Sequence, residues 1–433
     1  MLKIRRIQIL LCILFLFAFA EGFSQNHLNS PYSRFGMGDL MPRTAATVTA
    51  MGGTGYTFQS PTTINFINPA AYIAFDTLAF LLDASFSWKN STLMAATTQR
   101  GSTFRFDYLS IGLSISRWWK TAVGIQPYSI MNYSIFETKN VINYSIIEAR
   151  NIDTLTQNLS YLGKGGINEI YWGNAFRLFK NFSLGINASF LFGTYNKDRS
   201  MEWENAHLFN TKIENANKLK GVVLTIGSQY FIPIKDKGEL GLGLVFTPAI
   251  PVQSNSTQTI STYWGTEYNV MQIDTLYRNK EIKYSHKMPT QIGGGISWGK
   301  KNKYFVGADF TWTNWSNYSV GGVNDSLSNA YKISIGGNYT PNYSSNKFFP
   351  RMTFSLGANV GQSYLFLEGE HLNNFGINFG LLFPLKRSKT AFGLTLEYGQ
   401  LGTTKNNLIK ENYFIGTINV KIHERWYQRK KLD

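Results

Sequence analysis

The chain has 433 residues, of which 43% are hydrophobic, 15% aromatic and 16% charged, and this apolar content excludes intrinsic disorder. A mean hydropathy of −0.16 is that of a soluble protein, yet 24 Tyr, 32 Phe, 10 Trp and 39 Gly in so charge-poor a chain are the usage of a membrane β-barrel. The formal charge of +16 points, in an exported protein, to lipopolysaccharide, anionic headgroups or acidic periplasmic partners in preference to nucleic acid.

Residues 1–24 read as a cleavable secretory signal. Lys3, Arg5 and Arg6 form a basic start, Ile7 to Ala20 an apolar run of 14 residues, and Glu21 to Ser24 a short polar exit. That run is shorter than the ~20 residues a membrane helix needs. Cleavage near Ser24 removes Cys12, the one cysteine, and the loss of Lys3, Arg5, Arg6 and Glu21 lowers the formal charge from +16 to +14. The mature chain is expected to carry neither disulfide nor thiol chemistry.

Residues 25–77 hold Pro31, Pro42, Pro61 and Pro69, the cluster Gly52-Gly53-Thr54-Gly55, and little sustained alternation, so they do not read as wall strands. They are expected to fill a barrel lumen as a hatch. Gly52, Gly53 and Gly55 would form its flexible hinge, and Asn68-Pro69 would mark the handover to the first wall strand.

From residue 78 to residue 426 a period of two dominates. Phe182, Leu184, Ile186, Ala188 and Phe190 alternate with Ser183, Gly185, Asn187 and Ser189, and the same grammar recurs in Leu109 to Ser116, Leu240 to Thr247 and Phe392 to Gly399. About 14 strands fit, long enough for the ~9–11 residues of a barrel crossing. The best helical candidate, 70–86, is broken by Asp76 and Asp83, which leaves no helical span. Short basic turns at Lys180-Asn181, Lys235 to Gly238, Lys300 to Lys303 and Lys386 to Lys389 contrast with polar stretches at 140–164, 195–218, 255–281 and 338–350 that read as loops. The asymmetry predicts periplasmic turns, extracellular loops and a periplasmic tail over 427–433. A secreted soluble β-sandwich is the alternative, but its outer faces would be more polar and its strands shorter.

The order of signal, glycine-rich segment, Asn68-Pro69-Ala70 and alternating strands resembles the FadL-type outer-membrane long-chain fatty-acid transporters. Gly124 to Ser129, Asp309 to Ser316, and Glu411 to Phe414 running on to Arg425-Trp426-Tyr427 look like the same family. The resemblance implies an all-β transmembrane antiparallel barrel of 14 strands, plugged by its hatch. Hydrophobic ligands would be captured outside and passed by a lateral opening or by hatch rearrangement.

Chemistry-bearing residues are few. Gly295-Ile296-Ser297-Trp298-Gly299 matches the nucleophile-elbow string, but it lies in an alternating run with no helix after it. The histidines at 27, 207, 286, 371 and 423 lack metal-ligand spacing, and the Gly52 cluster lacks the Gly-Lys-Ser/Thr of a phosphate loop. No catalytic residue, metal or cofactor is expected. Asp83, Asp309 and Glu397 share parity with the small polar face and are expected to point into the lumen, because a lipid-facing charge costs about 2–4 kcal/mol at the midplane for a base and somewhat less for an acid. Arg105 and Asp107 break the local alternation, which a bulge or a position above the hydrocarbon would resolve. Trp118, Trp119, Trp312, Trp315 and Trp426 read as interfacial girdle residues.

The expected function is passive uptake of hydrophobic compounds such as long-chain fatty acids across the outer membrane, in contact with its lipid and lipopolysaccharide. The alternative is a structural or accessory subunit of an outer-membrane secretion or assembly complex, with other complex subunits as partners. A barrel enzyme acting on lipid is a weaker third reading.

Overall fold

The computed structural model describes residues 30–144, 152–204, 208–235, 238–266, 269–279, 281–324, 327–386 and 388–425. The signal, the tail over 427–433 and Trp426 lie outside the described residues. No described helix is long and apolar enough to cross a membrane.

The N-terminal segment contains the short strand β1 (Asp39–Leu40), the one-turn helix α1 (Ala46–Thr49) and a 3-10 turn at Pro69–Ala74. The wall begins with β2 (Ala79–Met94), β3 (Thr98–Ser114), β4 (Trp119–Tyr144) and β5 (Ile152–Phe179). It continues through β6 (Phe182–Trp203), β7 (Asn210–Ile234) and β8 (Gly238–Thr247). Three strands then stand outside it: β9 (Pro251–Thr266), β10 (Asn269–Arg278) and β11 (Ile282–Lys287). Wall strands β12 (Gln291–Lys300) and β13 (Tyr304–Thr313) follow, then the small hairpin of β14 (Ser319–Val320) and β15 (Val323–Asn324). The wall resumes with β16 (Ala330–Tyr339), β17 (Thr353–Leu367), β18 (Glu370–Pro384), β19 (Ala391–Leu401) and β20 (Lys410–Arg425). Pairing of β20 with β2 from Ala79↔Arg425 to Met94↔Lys410 closes an antiparallel barrel of 14 strands. Closure leaves the wall no outer edges except where β3 and β4 part, and a closed sheet suits lipid.

Alternation decides which side chains face in. In β2, Leu81, Asp83, Ser85 and Ser87 are buried while Phe86 and Trp88 are 41% and 47% exposed on the outer surface. The lumen is not uniformly small and polar. Toward the short-turn end the buried wall face is rich in Gly, Ser and Asn, but toward the other end Tyr128, Met131, Tyr133, Leu191, Tyr195 and Val223 pack with Tyr32 and Met37 of the N-terminal segment into an apolar cluster.

The loop readings change. Most of 255–281 is strand, in β9 and β10, and so is most of 140–164 and 195–218: β4 to β7 are 22 to 28 residues long, more than twice the ~10 a bilayer crossing uses. Beyond the bilayer a strand has no lipid-facing side, so its hydrophobic alternation fades while its backbone ladder continues. The stretch 338–350, which includes part of helix α2 (Phe348–Arg351), joins β16 to β17 at the same end as the short turns, beside Tyr304.

Candidate functional site

Residues 30–77 occupy the barrel interior, where a lumen wider than side chains alone can fill needs a plug. Wall glycines let the plug's main chain approach. A Cβ on Gly357 would stand 2.1 Å from the Met51 carbonyl carbon, and one on Gly185 2.4 Å from the Ala70 nitrogen. Pro42, Pro61 and Pro69 keep the plug from pairing as ordinary strands.

Three polar anchors fix it. Asp309 on β13 accepts hydrogen bonds from the Gly55 and Tyr56 backbone N–H groups at 2.6 and 2.8 Å. Burial pushes the Tyr56 phenol up to about 12, so it stays neutral beside the Thr311 hydroxyl at 2.8 Å. On β5, Glu169 is fully buried and meets Arg43 at 2.6 Å, with Gln126 donating to its other oxygen at 3.1 Å. Finally Lys421 on β20 donates to the hydroxyls of Thr47 and Thr63, with Asp83 at 4.0 Å. Asp83 also accepts from the Tyr108 hydroxyl at 3.0 Å, which in turn receives the Ala46 N–H at the start of α1. Buried charges of this kind persist only when paired and hydrogen-bonded.

Between β3 and β4 the wall parts. The two strands pair only from Leu109↔Ile125 to Ser114↔Lys120. Directly above, Ser85 pairs with Tyr108 and Phe86 with Phe106, so Asp107 is the extra residue of a bulge. A bulge bends its strand and strengthens the twist. Here it turns Arg105 and Asp107 inward, where Asp107 accepts from Ser85 and Ser87 at 3.1 and 2.7 Å. On the facing strand Pro127 has no N–H to offer, and the ladder to β5 shifts at Tyr128. The β4 edge that β3 leaves is taken by the plug. β1 pairs antiparallel through Asp39↔Ile130 and Leu40↔Ser129, flanked by Met41 N–H to Tyr128 O and Ser30 N–H to Asn132 O, both 3.0 Å. A cavity of about 30 Å³ bordered by Met41, Pro42, Arg105, Asp107 and Pro127 lies at this opening.

The structure sorts the residues singled out earlier. Asp83 and Asp309 are 1% and 5% exposed and bonded to the plug or its neighbours; Glu397 accepts from Tyr413 at 3.3 Å on the inward side. Gly52 and Gly53 take positive φ, 68° and 89°, in a buried turn after α1, and Gly55 is wedged against Val48 and Ile67. These glycines sit in a packed turn, not at an exposed hinge. Asn68 caps the 3-10 turn by accepting from Ala70 N–H and donates to Tyr56 O and Ser228 O. Trp118 is 58% exposed and stacks with Phe176 near Trp119 at the short-turn end, and Trp312 is half-buried. Trp315 departs from the girdle reading: it is 5% exposed and stacks on Tyr364 at 4.7 Å inside the apolar cluster, because the link after β13 folds inward. Ser297 lies within β12, so the G-x-S-x-G string makes no elbow. Among the described residues no cluster could hold a metal ion.

Arg43, Glu169 and Lys421 were missed as anchors. The signal was available for the last two, since each shares parity with the small inward residues of its strand, as Asp83 does.

A plugged 14-strand barrel with a parted wall defines the class by its fold, which is similar to that of the FadL-type barrels. The fold is similar to the CymD monoaromatic hydrocarbon channel (11% identity, TM-score 0.59, 90% of this chain and 99% of that one) and to a Pseudomonas aeruginosa FadL homologue (10%, 0.56, 90% and 100%). It is also similar to the Pseudomonas putida toluene transporter TodX (12%, 0.55, 90% and 100%). No curated protein matches the sequence. The chain belongs to the BamG family, whose profile, described as BamG, matches residues 3–433.

Proposed function

We propose that this protein sits in the outer membrane with its short turns in the periplasm and provides a lateral route for hydrophobic compounds. One observation carries the reading: the wall opens between β3 and β4 at the level of lipid-facing Phe86 and Phe106, and the plug lies across the opening as a short surrogate strand. Two residues of pairing make a weak ladder compared with a full strand. Withdrawal of β1 would join the lumen to the surrounding lipid with the rest of the wall intact. Long-chain fatty acids are one candidate cargo, and the monoaromatic compounds named for CymD and TodX are others. The route needs no bond chemistry.

Cysteines at Leu40 and Ser129, which are direct partners, would lock β1 to β4. Uptake of labelled oleate and labelled toluene into proteoliposomes should fall on oxidation and recover with reductant. Equal uptake by locked and unlocked protein would remove the lateral route.

A second reading, an accessory subunit of an outer-membrane complex, is favoured by the height of β4 to β7. Away from the bilayer this sheet exposes Phe136 at 70% and, with the strands packed on it, Phe209 at 55% and Leu276 at 63%. Exposed apolar groups of this size on a rigid sheet mark interaction sites. Stoichiometric co-purification of another subunit, lost on Phe136→Ser, Phe209→Ser, Leu276→Ser substitution, would favour this reading over transport.

A further inference from the structure

The short-turn end carries a rim of cations: Lys180, Lys235, Lys300, Lys301 and Lys303 are exposed and make no ion pair among the described residues. Inside that rim lies a vestibule of about 460 Å³. The turn Lys300–Lys303 and Arg177 form part of its wall, and the plug loop Gln59–Thr63 forms its floor. Asp76 and Glu239 are its two acids, and Asp76 is already engaged by Lys389 at 2.5 Å and His423 at 2.9 Å. Four cations therefore line the vestibule against two acids, of which Asp76 is already engaged and Glu239 lies in the field of Lys301.

The floor is also prepared for a main chain. Between Gln59 and Thr63 the described plug backbone makes no backbone–backbone hydrogen bond, and apart from Thr62 N–H, which Ser60 Oγ accepts at 3.2 Å, its polar groups have no main-chain partner. We propose that this vestibule docks an extended acidic segment of a periplasmic protein, its carboxylates on the Lys300–Lys303 turn and its backbone on the plug loop. Lipid headgroups fit the place less well, because it is bounded by the plug and by inward-facing Ser297 and Asn338, inside the ring of strands. The proposal rests on the orientation adopted above.

The test uses the full mature chain in phosphatidylcholine nanodiscs and fluorescein-labelled decaglutamate as the probe. Saturable binding is expected, weakened about tenfold or more by Lys300→Glu, Lys301→Glu, Lys303→Glu together. Lys180→Glu with Lys235→Glu, also turn lysines but outside the vestibule, should change it by less than about twofold. Heat-modifiable gel mobility verifies that each variant is folded. Absence of saturable binding, or equal loss from both sets, would overturn the site. So would loss of binding when phosphatidylglycerol replaces phosphatidylcholine, which would assign the lysines to lipid. Separately, Asn302→Cys should react with an impermeant maleimide only after the outer membrane is permeabilised. Labelling of intact cells would overturn the orientation itself, whereas correct labelling without peptide binding would overturn only the docking site.

Discussion

The guanidinium of Arg43, on the plug, lies 2.6 Å from the carboxylate of Glu169, a wall residue with no solvent exposure. The pair sits close to the opening, since Gln126, which shares Glu169, is the residue just above the last β3–β4 pairing. Replacing one partner leaves the other's charge uncompensated. With Arg43 27% exposed, water softens that penalty to about 2–3 kcal/mol. Glu169→Ala should therefore raise the open probability in planar-bilayer recordings. The double variant Arg43→Ala, Glu169→Ala should recover part of the closure, because no orphan charge remains.

Asp309 holds two plug N–H groups with one oxygen. Its replacement by Ala orphans both donors at about 1–3 kcal/mol each. Amide exchange at Gly55 and Tyr56 should accelerate by orders of magnitude while wall strands stay protected. Asp309→Asn keeps an acceptor and should show a smaller change. Protection unaltered in the Ala variant would mean that the plug does not depend on this anchor.

Gly357 and Gly294 are both wall glycines in central strands, with opposite surroundings. A Cβ at 357 collides with the Met51 backbone at 2.1 Å, whereas one at 294 makes only ordinary contacts, with the Leu244 side chain at 3.5 Å and the Gly243 carbonyl oxygen at 3.9 Å. Since backbone gives way less readily than a side chain, Gly357→Ala should cost about 1–3 kcal/mol or displace the plug. Gly294→Ala should be silent. Heat-modifiability on gels and conductance together distinguish lost folding from a displaced plug.

His286 links three elements outside the wall. Its ring nitrogens lie 2.6 Å from Ser254 Oγ on β9 and 3.1 Å from the Tyr318 hydroxyl before β14, and it is 1% exposed. Burial, aided by the charge of Lys197, pushes the imidazole from its ordinary 6.5 down to about 4. Above pH 6.5 both folded and unfolded forms are neutral, and the contact is at full strength. As pH falls from 6.5 toward 4 the opened form takes up the proton first, so stability declines by up to about 3 kcal/mol over that window and no further below it. Amide protection factors in β9 and β11, corrected for the intrinsic exchange rate, should fall between pH 7 and pH 5. His286→Gln should flatten that slope, even though it lowers protection at neutral pH.

The sequence by itself determined the barrel. Alternation in segments such as 182–190 and 392–399 has one physical solution for an exported chain without helical spans, because lipid demands an apolar outer face and a fully paired backbone. It also placed Asp83 and Asp309 on the inward parity, and the irregularity at Arg105 and Asp107 showed that the ladder slips there. Only the tertiary structure decided what these features do. Parity says that Glu169 and Lys421 face inward but not that Arg43 and Thr47 wait for them, since those contacts join residues more than a hundred positions apart. Strand length above the bilayer was hidden for a different reason: without lipid on one side, β4 to β7 lose the pattern that marks a strand. The opening between β3 and β4 needed both causes at once, a local bulge at Asp107 legible in the alternation and a plug strand from residues 39–40 that only folding brings to the edge of β4.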